Sequence, residues 1–188
     1  MITFAKYFNL YKHIMPTKTI VLSYLLGLIS CQSENKLQTV AEVNIASYAG
    51  KWFEIARLPN RFESDLICVT ATYTQREDGK IEVLNQGRKL NNHAVVKKIK
   101  GVAWIPNLKK QGQLKVQFFW PFAADYWIIS LDKNYQYALV GDPSRKYLWI
   151  LARTKVLSDD VFNELLLKAE QSGFKAQNIV RVEQSCEN

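Results

Sequence analysis

The sequence predicts an all-β protein: an eight-stranded antiparallel up-and-down β-barrel, with one C-terminal α-helix packed outside it and a short final strand. Three observations predict it. Eight β-rich runs follow one another at near-even spacing, at 52–58, 66–75, 81–88, 97–104, 113–119, 126–131, 137–140 and 147–153. Turn signals separate them: Pro59-Asn60, Asp78-Gly79, Asn91-Asn92, Pro106-Asn107, Gly112, Lys133-Asn134 and Asp142-Pro143. After residue 157 the hydrophobic period changes from strand-like to helix-like. Strands joined in succession form a meander, and eight of them remove their raw edges by closing into a barrel.

In chain order, the first thirty residues stand apart. Lys6, Lys12 and Lys18 precede a short apolar run at 19–30, and no acidic residue occurs before Glu34. A basic stretch, a short apolar stretch and small residues before a cleavage point describe an export signal. The run falls short of the roughly 20 apolar residues that span a bilayer. Met15 offers an alternative start. The run closes on Leu28-Ile29-Ser30-Cys31, which resembles the bacterial lipobox, whose cysteine is acylated. The alternative is an ordinary signal followed by an incidental cysteine. The domain expectation is therefore a signal at 1–30, a lipidated tether at 31–42 and the barrel at 43–188. Acyl chains on Cys31 would anchor the chain without a transmembrane helix. Gln32, where an Asp would resemble an inner-membrane retention signal, points to the outer membrane.

Charge narrows the partners. The net +8 falls to +5 once Lys6, Lys12 and Lys18 are removed. Lys97, Lys98, Lys100, Lys109 and Lys110 read as the solvated face of one hairpin. With no nucleic-acid motif in an exported chain, weak attraction to anionic headgroups is the better use of that charge. Cys68 and Cys186 remain. In an oxidising compartment they suggest one disulfide, the alternative being two buried free thiols.

Within each strand, alternate side chains share a face. On the second run Ala71 and Tyr73 share one face and Cys68 takes the other. On the third Val83 and Asn85 share a face, and on the eighth Trp149 and Leu151 share one with Arg153. Asp78-Gly79 suits a tight hairpin. The helix opens at Ser158, a good N-cap, with Asp159 and Asp160 at its positive end. Val161, Phe162, Leu165, Leu166 and Ala169 form its apolar stripe, and Gly173 sits where it should stop. Residues 178–182 read as the final strand.

The stretch Tyr48-Ala49-Gly50-Lys51-Trp52-Phe53-Glu54-Ile55-Ala56-Arg57 resembles the first signature of the lipocalin family. Val69-Thr70-Ala71-Thr72-Tyr73, Glu77-Asp78-Gly79-Lys80-Ile81 and Tyr147-Leu148-Trp149-Ile150-Leu151-Ala152-Arg153-Thr154 resemble later strands of its bacterial and apolipoprotein D-like branch. The likeness runs from about residue 43 to 183. It implies a plug at the closed end, with Arg153 over the indole of Trp52 behind Gly50. It implies a pocket lined by Tyr73, Asn85 and Trp149, to which alternation adds Ala71, Val83 and Leu151. Phe118 and the fifth-to-sixth-strand connection Trp120-Pro121-Phe122 would stand at the open mouth, with residues 59–65 as a partial lid. A Cys68–Cys186 pair would resemble eukaryotic members more than bacterial ones.

The function implied is binding, storage or transport of a fatty acid or lysophospholipid for outer-membrane lipid maintenance. It would be carried out by a lipid-anchored monomer or homodimer facing the periplasm. No inward Lys or Arg is readable for a carboxylate; Arg57, Arg61, Arg145 or Lys146 near the rim are the candidates to meet a headgroup. The alternatives are a carrier of a flat ligand such as a sterol, pigment or tetrapyrrole, a filled barrel without ligand, and an isomerase using an interior cysteine. The expectation is no enzyme, no metal and no cofactor: Cys68 faces outward, and His93 stands alone near a turn, with no nucleophile–base pair and no ligand cluster.

Overall fold

The structure, a computed structural model, describes residues 36–186. The expected signal at 1–30 and lipidation point Cys31 lie outside them. Eight strands make the barrel: β1 (Gly50–Arg57), β2 (Leu66–Gln75), β3 (Ile81–Lys89), β4 (Asn92–Trp104), β5 (Gln113–Phe119), β6 (Phe122–Leu131), β7 (Tyr137–Gly141) and β8 (Leu148–Ala152). Each is antiparallel to the next, and β1 pairs with both β2 and β8, which closes the sheet. A two-residue strand, β9 (Val180–Arg181), takes the edge of β1 at Ala56 and Arg57, beyond the reach of its β2 register. Among the described residues no helix is long and apolar enough to cross a membrane.

Two strands start well before the sequence pattern predicts. β4 begins at Asn92 instead of 97, and β6 at Phe122 instead of 126. Sequence reading finds strands through apolar alternation, but ladder hydrogen bonds need none. The β3–β4 turn is only Leu90-Asn91, so His93 lies in β4. The β5–β6 turn is only Trp120-Pro121, joined by a cis peptide bond. β4 and β5 pair over Val102–Trp104 alone, so their mouth-side halves lie outside each other's ladder.

The chain keeps two apolar layers apart. Inside, Trp52, Tyr73, Val83, Leu114, Val116, Ile128, Val140 and Leu151 form one cluster. Outside, Ile129, Leu139, Ile150 and Ala152 meet the helix α2 (Asp159–Gln171) through Phe162, Leu165 and Ala169. The helix is placed by the chemistry read from the sequence. Ser158 Oγ accepts from the N–H of Val161, Asp159 and Asp160 occupy the first turn, and Gly173 ends it at φ +84°. A turn of helix, α1 (Ile45–Tyr48), capped by Asn44, is too short to show a period in sequence. Nor is the stretch before it free: Leu37 is buried on the outer layer and the N–H of Val40 donates to the Ile128 carbonyl at 3.0 Å. The described end of the expected tether, from Lys36, therefore lies along the barrel, because Leu37 and Val40 have apolar surface to cover.

The base of the barrel is closed by a satisfied plug. Trp52 has no exposed surface, and its Nε1 donates to the Tyr48 carbonyl at 2.8 Å. The Arg153 guanidinium lies 3.9 Å from the centre of the Trp52 ring. It also donates to the carbonyls of Ser47, Tyr48, Ala49, Lys51 and Tyr135. Gly50 sits at φ +93°, where a side chain would be strained, directly beside Arg153.

Cys68 and Cys186 are bonded, with Cα atoms 6.1 Å apart, which resolves the two readings of that pair. Cys68 lies in an irregularity of the β2–β3 register at φ +52°, and its N–H donates to the Glu183 carbonyl at 2.7 Å. The C-terminal tail is thus fastened to the outside of β2, and Gln184 Nε2 adds bonds to the Glu54 and Val69 carbonyls.

Candidate ligand-binding cavity

Above the plug the barrel is hollow. A cavity of about 920 Å³ opens between the β1–β2 loop and the β3–β4 and β5–β6 hairpins. Its wall is largely apolar, with Val69, Ile81, Val83, Leu114, Val116 and Leu151 as its aliphatic part. Six of the eight residues predicted to line it do so: Tyr73, Val83, Asn85, Phe118, Trp149 and Leu151. Ala71 does not. It is the register partner of Trp52 and belongs to the packed layer at the base. Trp120 does not either: at the tip of a two-residue turn its side chain is 85% exposed. A second depression, between the β7–β8 turn and the chain after α2, lies outside the barrel and shares no residue with the cavity.

The polar groups of the cavity form three sets. At the floor, Tyr126 Oη bonds both Tyr48 Oη and Tyr73 Oη, each at 2.7 Å. Burial pushes all three phenols above their ordinary range, so they stay protonated. On the wall, Asn85 Oδ1 is buried without a hydrogen-bond partner among the described residues. A buried acceptor left open costs about 1–3 kcal/mol and calls for a partner the protein does not supply.

The third set was not legible as a cavity feature. Glu54 lines the cavity beside Leu151, its register partner, and its Oε1 accepts from Arg57 Nη1 at 2.7 Å. Arg57 Nη2 donates to the carbonyls of Glu63 and Leu66. Glu63 Oε2 accepts from Trp149 Nε1 at 3.0 Å and from Asn60 Nδ2 at 2.7 Å. Desolvation first, then the charge of Glu63, pushes Glu54 up to about 8 against the pull of Arg57. Arg57, expected at the rim, is therefore buried and committed. A register shift between Glu54 and Ala56 turns it inward, which simple alternation cannot anticipate. Glu54 could have been found, since it lies two residues from the inward Trp52.

The other cations are also redistributed. Lys97, expected on a solvated face, is exposed and borders the cavity mouth together with its register partner Gly87. Its Nζ meets Asp65 of the β1–β2 loop at 3.1 Å. Arg145 turns outward and donates to the Ser172 carbonyl at the end of α2. Arg61 and Lys146 are exposed on mouth loops. Phe62 and Tyr147, with ring centres 5.6 Å apart, and Tyr147 stacked on Trp149 lead from the lid into the cavity. Among the described residues no cluster of three or more His, Cys, Asp or Glu has metal-site geometry.

Comparison with known proteins agrees with this geometry. The family model for the lipocalin-like domain matches residues 43–184. The outer membrane lipoprotein Blc of Escherichia coli K12 is 39% identical over 160 residues, 84% of this chain and 90% of that protein. Temperature-induced lipocalin-1 of Arabidopsis thaliana is 34% identical over 161 residues, 81% and 85% of the two chains. Among solved structures, insecticyanin from the tobacco hornworm Manduca sexta superposes with a TM-score of 0.63 over 78% of this chain and 84% of its own. At 24% identity it speaks to the fold alone.

Proposed function

Since the chain belongs to the lipocalin family, we propose that it carries one acyl amphiphile, a fatty acid or a lysophospholipid, with the chain in the barrel and the polar end at the mouth. The single observation that carries this reading is the roomy, mostly apolar cavity closed below by Trp52 and Arg153 and open above. Each buried methylene contributes about 0.8 kcal/mol, so a chain of about 16 carbons gains roughly 12 kcal/mol before ordering costs. Micromolar affinity requires about 8. A headgroup at the mouth would find Lys97, and Arg61 and Lys146 on the surrounding loops. A carrier of this kind, held in the outer membrane by acyl groups on Cys31 and facing the periplasm, would serve lipid maintenance. The relatives named as outer membrane lipoproteins support an outer-membrane lipid anchor.

The test is to purify the protein natively, extract it and identify what leaves by lipid mass spectrometry. Near-stoichiometric acyl species are expected; polar compounds alone, or nothing, would contradict the reading. A coloured extract would favour a flat ligand, for which the stacked Tyr147–Trp149 pair offers a surface. For the anchor, Cys31→Ser should release the protein from the membrane fraction, and continued sedimentation with membranes would refute it.

A further inference from the structure

We propose that Glu54 and Glu63 form a polar subsite in the cavity wall that takes a neutral, hydroxyl-bearing headgroup and disfavours a carboxylate. The inference rests on the carrier reading above and narrows its ligand class. A buried arginine just behind the wall of a largely apolar cavity invites the opposite conclusion, that it pairs with a fatty-acid carboxylate. Its partners exclude that role. Arg57 already donates to Glu54 and to the carbonyls of Glu63 and Leu66, and two carboxylates flank its one charge.

The acceptors, in contrast, are open. Glu54 is 4% exposed and Glu63 8%, and both line the cavity. One oxygen of each is engaged, Glu54 Oε1 by Arg57 and Glu63 Oε2 by Trp149 and Asn60. Among the described residues, Glu54 Oε2 and Glu63 Oε1 have no hydrogen-bond partner. Asn85 Oδ1, in the wall of the same cavity, is unpartnered as well. The set therefore offers acceptors to whatever enters, and a hydroxyl answers an acceptor whereas a carboxylate does not. Of these acceptors Asn85 Oδ1 is the fully buried one, so a ligand hydroxyl that reaches it answers a costly unpaired group.

The protonation of Glu54 sharpens the discrimination. With its carboxyl held up to about 8, Glu54 presents an O–H near neutral pH and a carboxylate beside Glu63 and Arg57 above it. The groups that face Glu54 are Arg57 on its own strand, Glu63 from the β1–β2 loop and Tyr73 from β2. Lys97 and Asp65 stand at the mouth, paired with each other. Tyr73 stays neutral through this range, so the change of charge belongs to Glu54. A hydroxyl, which both donates and accepts, suits either state. A carboxylate loses its one donor and meets net negative charge as pH rises.

The experiment is displacement of bound N-phenyl-1-naphthylamine from the purified protein by 12-carbon ligands, laurate against 1-monolauroylglycerol, at pH 6.5 and 9. We expect the glycerol ester to bind about tenfold more tightly than laurate at pH 9, the size of one hydrogen bond to a charged group. The gap should narrow at pH 6.5. In Glu54→Gln, which keeps an acceptor for Arg57, and in Glu63→Gln, laurate at pH 9 should recover most of its deficit. Equal binding of the two ligands by the wild type at pH 9 would overturn the inference, and this comparison needs no variant to fold. A gap that persists unchanged in both variants would overturn it too. Failure of the fluorescent probe to bind at all would overturn the carrier reading itself, and this inference with it; the other outcomes leave that reading standing.

Discussion

The two ends of the barrel are built by opposite rules. At the base every strong polar group is answered: Arg153 covers the Trp52 ring and donates to five carbonyls, and the indole N–H has its own acceptor. Towards the mouth the chain leaves acceptors open on Glu54, Glu63 and Asn85, and exposes Phe119, Trp120 and Phe122. A fold selected for stability alone would have answered or removed those groups. The contrast teaches that the base is where the sequence secures the fold and the upper barrel is where it leaves room for something else to complete it.

That contrast can be broken or sharpened by measurement. The largest effect should come from the clamp on the tail. Cys68→Ala with Cys186→Ala frees a loop of 118 residues, for which chain entropy predicts about 4–5 kcal/mol. The denaturant midpoint should fall accordingly, and a fall of less than about 1 kcal/mol would show the tail to be incidental. Trp52→Ala should cost about 3–5 kcal/mol through the cavity left at the base, read in the same titration. Glu54→Gln should act with pH. Its folded-state pKa is raised from 4.5 to about 8, so the folded state holds the extra proton and stability falls as pH rises between those values, then levels off. The variant should flatten that slope and gain on the order of 1–2 kcal/mol at pH 8.5; a variant less stable there would invert the assignment. Trp120→Ala should change stability by no more than about 0.5 kcal/mol, since its ring stands in solvent. A larger loss would mean that the mouth also secures the fold.

Much of this was legible because two simple periods govern the chain. Alternation placed Val83, Asn85, Trp149 and Leu151 on the inner face, and a Ser-Asp-Asp start with a 3.6-residue stripe placed α2. Legibility ended where the period is interrupted. The irregularity after Glu54 turned Arg57 inward; the register is also irregular at Cys68, yet that residue keeps the outer face that alternation gave it and meets Cys186 there. Lys97 is solvated as its charge suggests, but no sequence signal shows that it also borders the cavity mouth and pairs with Asp65, because the closeness of the β1–β2 loop is a property of the closed sheet. Ala71 shows the reverse limit. It faces inward as alternation requires, yet depth along the barrel decides whether an inward residue meets ligand or plug, and depth is a property of the closed sheet.

The account stands on the hollow above the plug being the place where ligand resides. The direct measurement is titration of an apolar fluorescent probe into the wild type and into Val83→Trp, a variant that fills the cavity from a buried wall position, with far-ultraviolet circular dichroism to verify the barrel. The account predicts saturable one-to-one binding by the wild type and its loss in a folded Val83→Trp protein. Undiminished binding by the folded variant would contradict it, because the probe would then be sitting somewhere other than the barrel.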